Sequence, residues 1–212
     1  MSSADDVRTA AAAALPLEGG LPLHRVTFAV VDVETTGASP STAALTEVAA
    51  ATFLAGECTG TFQTLVCPGI PIPASITALT GITDAMVAGA PAARPAVAQL
   101  RAFVDGAVLV GHNVAFDLGF LNAVLAASGG PPLQGTAVDT LALARVLLAD
   151  EVPDCRLATL ARVLRLGHRP AHRAMTDVLA TADLLHALIE RATGYDVFTL
   201  ADLLALPQAA AA

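Results

Sequence analysis

The sequence predicts an α/β fold in which helices cover a mixed sheet, and the order of its elements is the main reason. Three strand-like segments come first, at residues 26–34, 45–54 and 59–66. Short strands then alternate with helical segments over the rest of the chain. No stretch repeats at a fixed period, which argues against a solenoid or propeller. The 212 residues are therefore expected to form one domain with a sizeable core.

Turn residues separate the first elements. Gly37, Pro40 and Gly56 lie in the connections between the first three strands, where such residues are typical. After the proline-rich stretch CPGIPIP, residues 74–91 indicate short helical turns. Residues 93–106 indicate a helix that closes at a glycine.

The second half of the chain alternates short apolar runs with longer amphipathic ones. Two strands are predicted at 107–112 and 136–140. Helices are predicted, in order, at 113–130, 140–149, 156–166, 173–193 and 197–206.

Both ends of the chain lack a periodic apolar face. We expect a flexible Ala-rich leader at 1–22, a folded domain at 23–206 and a flexible tail at 207–212. Asp5 and Asp6 lie where a secretory signal would be basic. No later segment reaches about 18 uninterrupted apolar residues, so no membrane span is predicted.

The cysteines indicate a reducing compartment. Cys58, Cys67 and Cys155 are odd in number and contain no CxxC pair, which argues against a disulfide framework and a structural zinc site. Together with the N-terminus, this predicts a cytoplasmic protein.

The net charge and the distribution of the arginines point to different kinds of binding partner. The net charge of −8 argues against a large nucleic-acid footprint. All eleven basic residues are arginine, however, and six of them fall between positions 145 and 173, where only three acids lie. This span is either a local basic patch or a pair of ordinary solvated helix faces, and charge alone leaves both open.

The stretch VVDVETTGASP places Asp32 and Glu34 near the end of a buried strand. Alternate residues of a strand share a face, so the two carboxylates project together. Like charges this close are unfavourable unless a cation lies between them. A divalent ion such as Mg²⁺, which prefers oxygen ligands, satisfies both acids.

Two further acids begin predicted helices. Asp117 follows the strand at 107–112, and Asp177 lies early in the helix at 173–193. Taken singly, each is explained by a favourable interaction with the helix dipole. Their combination with Asp32 and Glu34 is what raises the metal-site hypothesis.

The motifs DVETTG, HNVAFDLGFL and HRAMTDVLAT occur in this order along the chain. They resemble the three motifs of the DEDDh 3′→5′ exonucleases, a group that includes the proofreading epsilon subunit of bacterial DNA polymerase III. The resemblance covers about residues 28–188. It implies a ribonuclease H-like fold, with a five-stranded mixed sheet that has one antiparallel strand and is flanked by helices, so that residues 23–206 form an exonuclease domain.

The resemblance also implies a catalytic centre. It makes Asp32, Glu34, Asp117 and Asp177 ligands of two divalent metal ions, Mg²⁺ with Mn²⁺ able to substitute. It makes His172 the general base, and histidine is the side chain whose ordinary titration lies nearest neutral pH. Glu47 and Asp139 also fit positions of the family and are interpreted as supporting polar groups rather than metal ligands.

Substrate contacts follow by the same resemblance. The residues expected at the 3′-terminal nucleotide or shaping its site are Thr35, Thr36, Gly37, His112, Asn113 and Phe116. For Phe116, core packing is favoured over contact with a base. The chain has no tryptophan and one tyrosine, so an extended stacking platform is not expected.

The implied function is metal-dependent release of nucleoside 5′-monophosphates from single-stranded or frayed 3′ ends of DNA, in proofreading or repair. One alternative keeps the chemistry and trims RNA 3′ ends. Another is a non-catalytic module that docks on a DNA polymerase, although all four acids and the histidine are present. A free-standing or loosely associated exonuclease is expected rather than an obligate polymerase subunit.

Overall fold

The computed structural model describes residues 20–133 and 135–209. A five-stranded sheet runs through its centre in the order β3-β2-β1-β4-β5. Its strands are β1 (Thr27–Thr35), β2 (Leu45–Leu54), β3 (Glu57–Leu65), β4 (Val108–Gly111) and β5 (Ala137–Asp139). β2 is antiparallel to both neighbours, whereas β1, β4 and β5 are mutually parallel. The predicted five-stranded mixed sheet with one antiparallel strand is therefore confirmed.

Helices cover both faces of this sheet. They are α1 (Ala74–Thr80), α2 (Asp84–Val87), α3 (Ala93–Phe103), α4 (Val114–Ala127), α5 (Thr140–Leu147), α6 (Leu157–Val163), α7 (Ala174–Ala192) and α8 (Leu200–Ala209). Short 3₁₀ turns at Leu23–Arg25 and Thr193–Tyr195 were not predicted from the sequence.

The last helix begins later than predicted because of its cap. The prediction placed it at 197–206, whereas α8 spans Leu200–Ala209. The Thr199 hydroxyl accepts a hydrogen bond from the Asp202 N–H at 3.2 Å, and Asp202 Oδ2 accepts one from the Thr199 N–H at 2.9 Å. This reciprocal capping sets the first turn of the helix after Thr199.

The sheet separates two apolar cores, and β1 contributes to both in alternation. Phe28 and Val30 pack with the core that contains α5, α6 and α7. Ala29, Val31 and Val33 pack with the opposite core, formed with α3 and α4. Continuing this alternation along β1 directs residues 32 and 34 to the α7 side of the sheet.

The predicted ends of the domain are only partly described. Residues 20–22, assigned to the leader, lie against the start of α8, where the Leu200 N–H donates to the Leu21 carbonyl at 2.9 Å. Residues 207–209, assigned to the tail, continue α8. Residues 1–19 and 210–212 lie outside the described part, and the division into leader, domain and tail stays a prediction. Within the described ranges, no helix has the length and hydropathy needed to cross a bilayer.

Candidate active site

Three carboxylates converge where β1 ends beside α7. Asp32 and Glu34 lie two residues apart on β1, and Asp177 lies in the first turn of α7. One potential ligand atom from each of the three lies within 4.8 Å of the others. The structure thus brings together two acids that are two residues apart in the sequence and one that is distant.

Asp117 approaches the same strand end from the opposite face. It lies in the first turn of α4, is buried, and accepts a hydrogen bond on Oδ1 from the Val33 N–H at 3.0 Å. It lies outside the group of three acids within 4.8 Å, but its charge acts on Asp32. One of its two oxygens is therefore used to hold α4 against β1.

Crowding and burial oppose ionisation of these acids. Burial, followed by the charges of Asp117, Asp177 and other nearby acids, raises the pKa of Asp32 well above its ordinary value. Burial and the charges of neighbouring acids raise the pKa of Glu34 to about 7. Burial raises the pKa of Asp117 to about 7, and it also raises that of Asp177. A cation at the cluster would remove this penalty.

The start of α7 is held by an ion pair between a buried carboxylate and a half-buried arginine. Glu47, on β2, is 1% exposed and accepts hydrogen bonds from Arg173 Nε at 3.0 Å and Nη2 at 2.9 Å. Its Oε2 also accepts from the Ala174 N–H at 3.0 Å, and Oε1 from Gln63 Nε2 at 2.9 Å. Although burial raises the pKa of Glu47, these hydrogen bonds outweigh it and lower the value. Glu47 is thus a supporting group, as interpreted from the sequence.

His172 lies in the loop that enters α7. It is exposed and has a φ of 53°, in the left-handed region that non-glycine residues seldom adopt. The neighbouring Ala171 N–H donates to Asp177 Oδ1 at 2.8 Å, which ties the loop to the acid cluster. His172 and Asp177 line the same surface groove.

His112 is half-buried, and both of its ring nitrogens have partners. Nε2 lies 2.9 Å from the Cys155 carbonyl, and Nδ1 lies 2.9 Å from the Thr140 hydroxyl. A carbonyl only accepts, so Nε2 carries the proton, and Nδ1 shares the Thr140 hydroxyl proton with the Gly111 carbonyl, which lies 3.2 Å from that hydroxyl. Burial lowers the pKa of His112, which favours this neutral form. The ring therefore shapes the wall of the groove.

The turn after β1 is closed by its own hydroxyls. Thr35 Oγ1 donates to the Gly37 carbonyl at 2.6 Å. Thr36 Oγ1 accepts from the Ala44 N–H at 2.9 Å, and the Thr36 N–H donates to the Ala44 carbonyl at 2.8 Å. A Cβ added at Gly37 would lie 3.3 Å from that of Ala43, so the turn is compact at this point.

Asn113 and Phe116 begin α4. Asn113 is exposed, has a φ of 70°, and donates its N–H to Asp139 Oδ1 at 2.9 Å. Phe116 is partly buried and packs near Phe120, with ring centroids 5.2 Å apart. The packing agrees with the favoured core role of Phe116. Asp139 caps α5 through the Leu141 N–H, which agrees with its supporting role.

Arg173 is the residue whose role the sequence analysis missed, because it was counted only as part of the basic span. A signal was present: Glu47 lies in the otherwise apolar strand LTEVAAATFL. A buried carboxylate in such a strand requires a partner. The sequence did not show which arginine supplies it.

The acid cluster suits a divalent cation. Its three converging donors are all carboxylates, which are the oxygen ligands that hard divalent ions prefer. Burial and mutual repulsion raise the pKa values of these residues, so their charged forms are unfavourable without a cation. This electrostatic imbalance favours binding of a positive ion over a purely structural role.

Comparison with known proteins identifies the class. The RNase_T exonuclease family model matches residues 29–185. A protein of Mycobacterium tuberculosis, named as a bifunctional exonuclease/endonuclease, is 42% identical over 96% of this chain. A PolC-type DNA polymerase III of Halalkalibacterium halodurans is 37% identical over 85% of it. The chain spans 32% and 12% of the lengths of these two relatives.

Solved structures agree on the fold. A structure of exonuclease X in complex with 5′ overhanging duplex DNA covers 84% of this chain and 99% of its own, with a TM-score of 0.63 and 25% identity. Escherichia coli exonuclease I in complex with a dT13 oligonucleotide covers 81% of this chain and 43% of its own, with a TM-score of 0.71 and 20% identity. The latter likeness concerns the fold alone.

The family match agrees with the exonuclease class that the resemblance of the three motifs implied. The chain belongs to the RNase_T exonuclease family and is of its DEDD type.

Proposed function

We propose that this protein removes nucleotides one at a time from the 3′ ends of DNA and releases nucleoside 5′-monophosphates. The observation that carries the proposal is the convergence of Asp32, Glu34 and Asp177 next to the exposed His172. Three acids and an imidazole that could accept a proton therefore adjoin one surface groove, which Asp177 and His172 line.

Asp32, Glu34 and Asp177 would hold the metal, with Asp117 as the fourth acid on the opposite side of β1. We propose Mg²⁺ as the physiological ion, two per site, with Mn²⁺ able to substitute. When bound, such ions activate the attacking water and stabilise the leaving oxygen.

His172 would accept a proton from the attacking water. Its exposure leaves the imidazole accessible to solvent and substrate. The bond from the Ala171 N–H to Asp177 ties the loop that carries His172 to the cluster.

The turn at residues 35–37 would receive the 3′-terminal nucleotide. Its two threonine hydroxyls are engaged within the turn or with Ala44, so contact with the sugar would come chiefly from the backbone and from small side chains. His112, Asn113 and Phe116 would shape the adjoining wall at the start of α4.

DNA as the substrate is supported by the relatives. The polymerase relative is named a DNA polymerase, and the exonuclease X structure contains DNA. We also propose a role in proofreading or repair, association with a DNA polymerase and a cytoplasmic location. RNA remains the alternative outcome of the substrate test.

The first experiment compares the protein with its Asp32→Ala variant on 5′-labelled single-stranded DNA, matched RNA and a duplex with a 3′ mismatch. Reactions contain Mg²⁺, Mn²⁺ or EDTA. We expect metal-dependent ladders that shorten from the 3′ end of DNA and are absent in the variant. Preferred cleavage of RNA would replace the DNA proposal, and no cleavage of any substrate would favour the docking module.

A further inference from the structure

A surface groove adjoins the acid cluster and is lined by residues of α5 and α6. Its volume is about 610 Å³, and its lining includes His172 and Asp177. Arg145, from α5, and Arg156, at the start of α6, also line it. The groove is therefore continuous with the proposed catalytic centre.

A second hollow extends the first. It has a volume of about 330 Å³ and is lined by Arg162 and Arg169. Ala158 and Pro170 line both spaces, so they adjoin. The second space includes neither His172 nor Asp177 and thus lies farther from the acids. The two spaces together are called the arginine groove.

The arginines of this groove are largely free of protein partners. Within the described residues, Arg145, Arg162 and Arg169 are exposed and form no salt bridge. Arg156 contacts Asp154 at 4.0 Å, but its side chain is 85% exposed. Exposed pairs of this kind contribute little, so even Arg156 remains available to a ligand.

The position of this charge is unusual for the chain. The protein carries a net charge of −8, yet four of its eleven basic residues line the arginine groove. Apart from Asp177 of the cluster, Asp154 is the one acid among the described residues that line the two spaces. This arrangement favours the local basic patch over ordinary solvated helix faces.

We propose that the arginine groove binds the phosphodiester backbone of a single strand on the 5′ side of the scissile bond. Arg145 and Arg156 would contact phosphates near the reacting end, and Arg162 and Arg169 phosphates farther upstream. The inference rests on the proposed function, because the acid cluster defines the end at which the strand is cut. The turn at residues 35–37 would take the terminal nucleotide, which leaves the groove for the rest of the strand.

The lining also indicates how the strand is recognised. Neither space is lined by phenylalanine or tyrosine, so stacking of bases on such rings would contribute little there. Contacts to phosphates carry no base information. We therefore expect binding that is insensitive to base sequence, sensitive to salt, and stronger for strands long enough to reach Arg162 and Arg169.

Binding is tested on an Asp117→Asn background in Mg²⁺, which keeps an oxygen that can accept from Val33 while preventing turnover. Anisotropy of labelled dT12 and rU12 is measured against salt for Arg162→Ala/Arg169→Ala. The matched control is Arg25→Ala/Arg94→Ala, which removes two exposed arginines that line neither space of the groove.

We expect Arg162→Ala/Arg169→Ala, the groove variant, to bind both strands roughly tenfold more weakly at low salt, since two exposed charge contacts are lost. The slope of log affinity against log salt should become shallower by about 1.4. The control should keep the parental values. Equal losses in the control and groove variants would overturn the proposal, as would a loss confined to rU12, which would indicate contacts to the 2′-hydroxyl instead.

Hydrolysis separates this inference from the function on which it rests. With Asp117 restored, the groove variant should show a roughly tenfold higher KM on dT12 and unchanged hydrolysis of the p-nitrophenyl ester of thymidine 5′-monophosphate. Equal losses of hydrolysis on both substrates would overturn the proposal that the arginine groove binds the strand. If the parent cleaves neither substrate, the proposed function fails, while the anisotropy measurement still decides whether the groove binds the strand.

Discussion

Glu47 and Arg173 form a bidentate ion pair that joins β2 to the entrance of α7. Both Glu47 oxygens accept from the guanidinium, at 2.9 and 3.0 Å, although the residues are 126 positions apart. Arg173 lies directly after His172 and four residues before Asp177. The ion pair therefore positions the loop and helix turn that carry two of the proposed catalytic groups.

Removal of Arg173 should cost stability as well as activity. Arg173→Ala leaves the buried Glu47 carboxylate without its cation, and such changes cost about 3 kcal/mol or more. Thermal and urea denaturation measure the free energy of unfolding. The double variant Glu47→Met/Arg173→Met should regain only part of the stability, because the buried Ala174 N–H also loses its acceptor. It should remain poorly active, because the entrance of α7 has lost its tether. Full activity in either variant would contradict the positioning role.

Substitutions of Asp117 should separate its charge from its hydrogen bond. Asp117→Asn removes a crowded negative charge and retains an oxygen for the Val33 N–H. We expect activity to fall by at least about a thousandfold, as for other groups that stabilise charge at an active site, with a Tm equal to or above that of the parent. Asp117→Ala leaves the buried N–H unpaired and should unfold at a lower temperature than the Asn variant, by about 1 kcal/mol or more. Equal Tm values for the two variants would refute the stabilising role of the hydrogen bond to Val33. Retained activity in Asp117→Asn would refute the catalytic role of the Asp117 charge.

His172 is expected to act in catalysis without supporting the fold. His172→Gln should lower kcat by about a hundredfold or more, since general bases contribute on this scale. The side chain is exposed, so the Tm should not change. Titration with Mn²⁺ by calorimetry should give the parental affinity. A weakened Mn²⁺ affinity with unchanged kcat at saturating metal would assign His172 to the metal site instead of to proton transfer.

The metal-free protein should become more stable as the pH falls from 8.5 to 6.5. Glu34 and Asp117 have folded-state pKa values of about 7, well above their ordinary values. Such acids destabilise the fold when charged, so the penalty is present above pH 7 and is relieved as they gain protons. Burial lowers the pKa of His112 and His186, whose protonation opposes this trend below about pH 6.5.

The measurement is the Tm in EDTA and in Mg²⁺ across this pH window. Mg²⁺ should raise the Tm most at pH 8.5, because it stabilises the charged carboxylates. Glu34→Gln should show a shallower dependence on pH in EDTA, since one of the titrating groups is gone. A Tm in EDTA that is constant or falls on acidification over this window would contradict the electrostatic account of the cluster.

The sequence by itself determined the positions of β1 to β3 along the chain, the shared face of Asp32 and Glu34, and the three motifs that contain the acids and His172. These features are local, because strand alternation and motif spacing depend on residues close together in the chain. The cap of α8 was also local, but the reciprocal bond between Thr199 and Asp202 was overlooked.

Only the tertiary structure decided which distant groups meet. It paired Glu47 with Arg173, gave one Asp117 oxygen to the Val33 N–H, and aligned Arg145, Arg156, Arg162 and Arg169 along one groove. Composition showed that arginines were concentrated in this part of the chain, but any of them could have faced solvent or a buried acid. The choice depends on how α5, α6 and α7 pack on the sheet, since contacts between distant segments are set by the packing of whole elements.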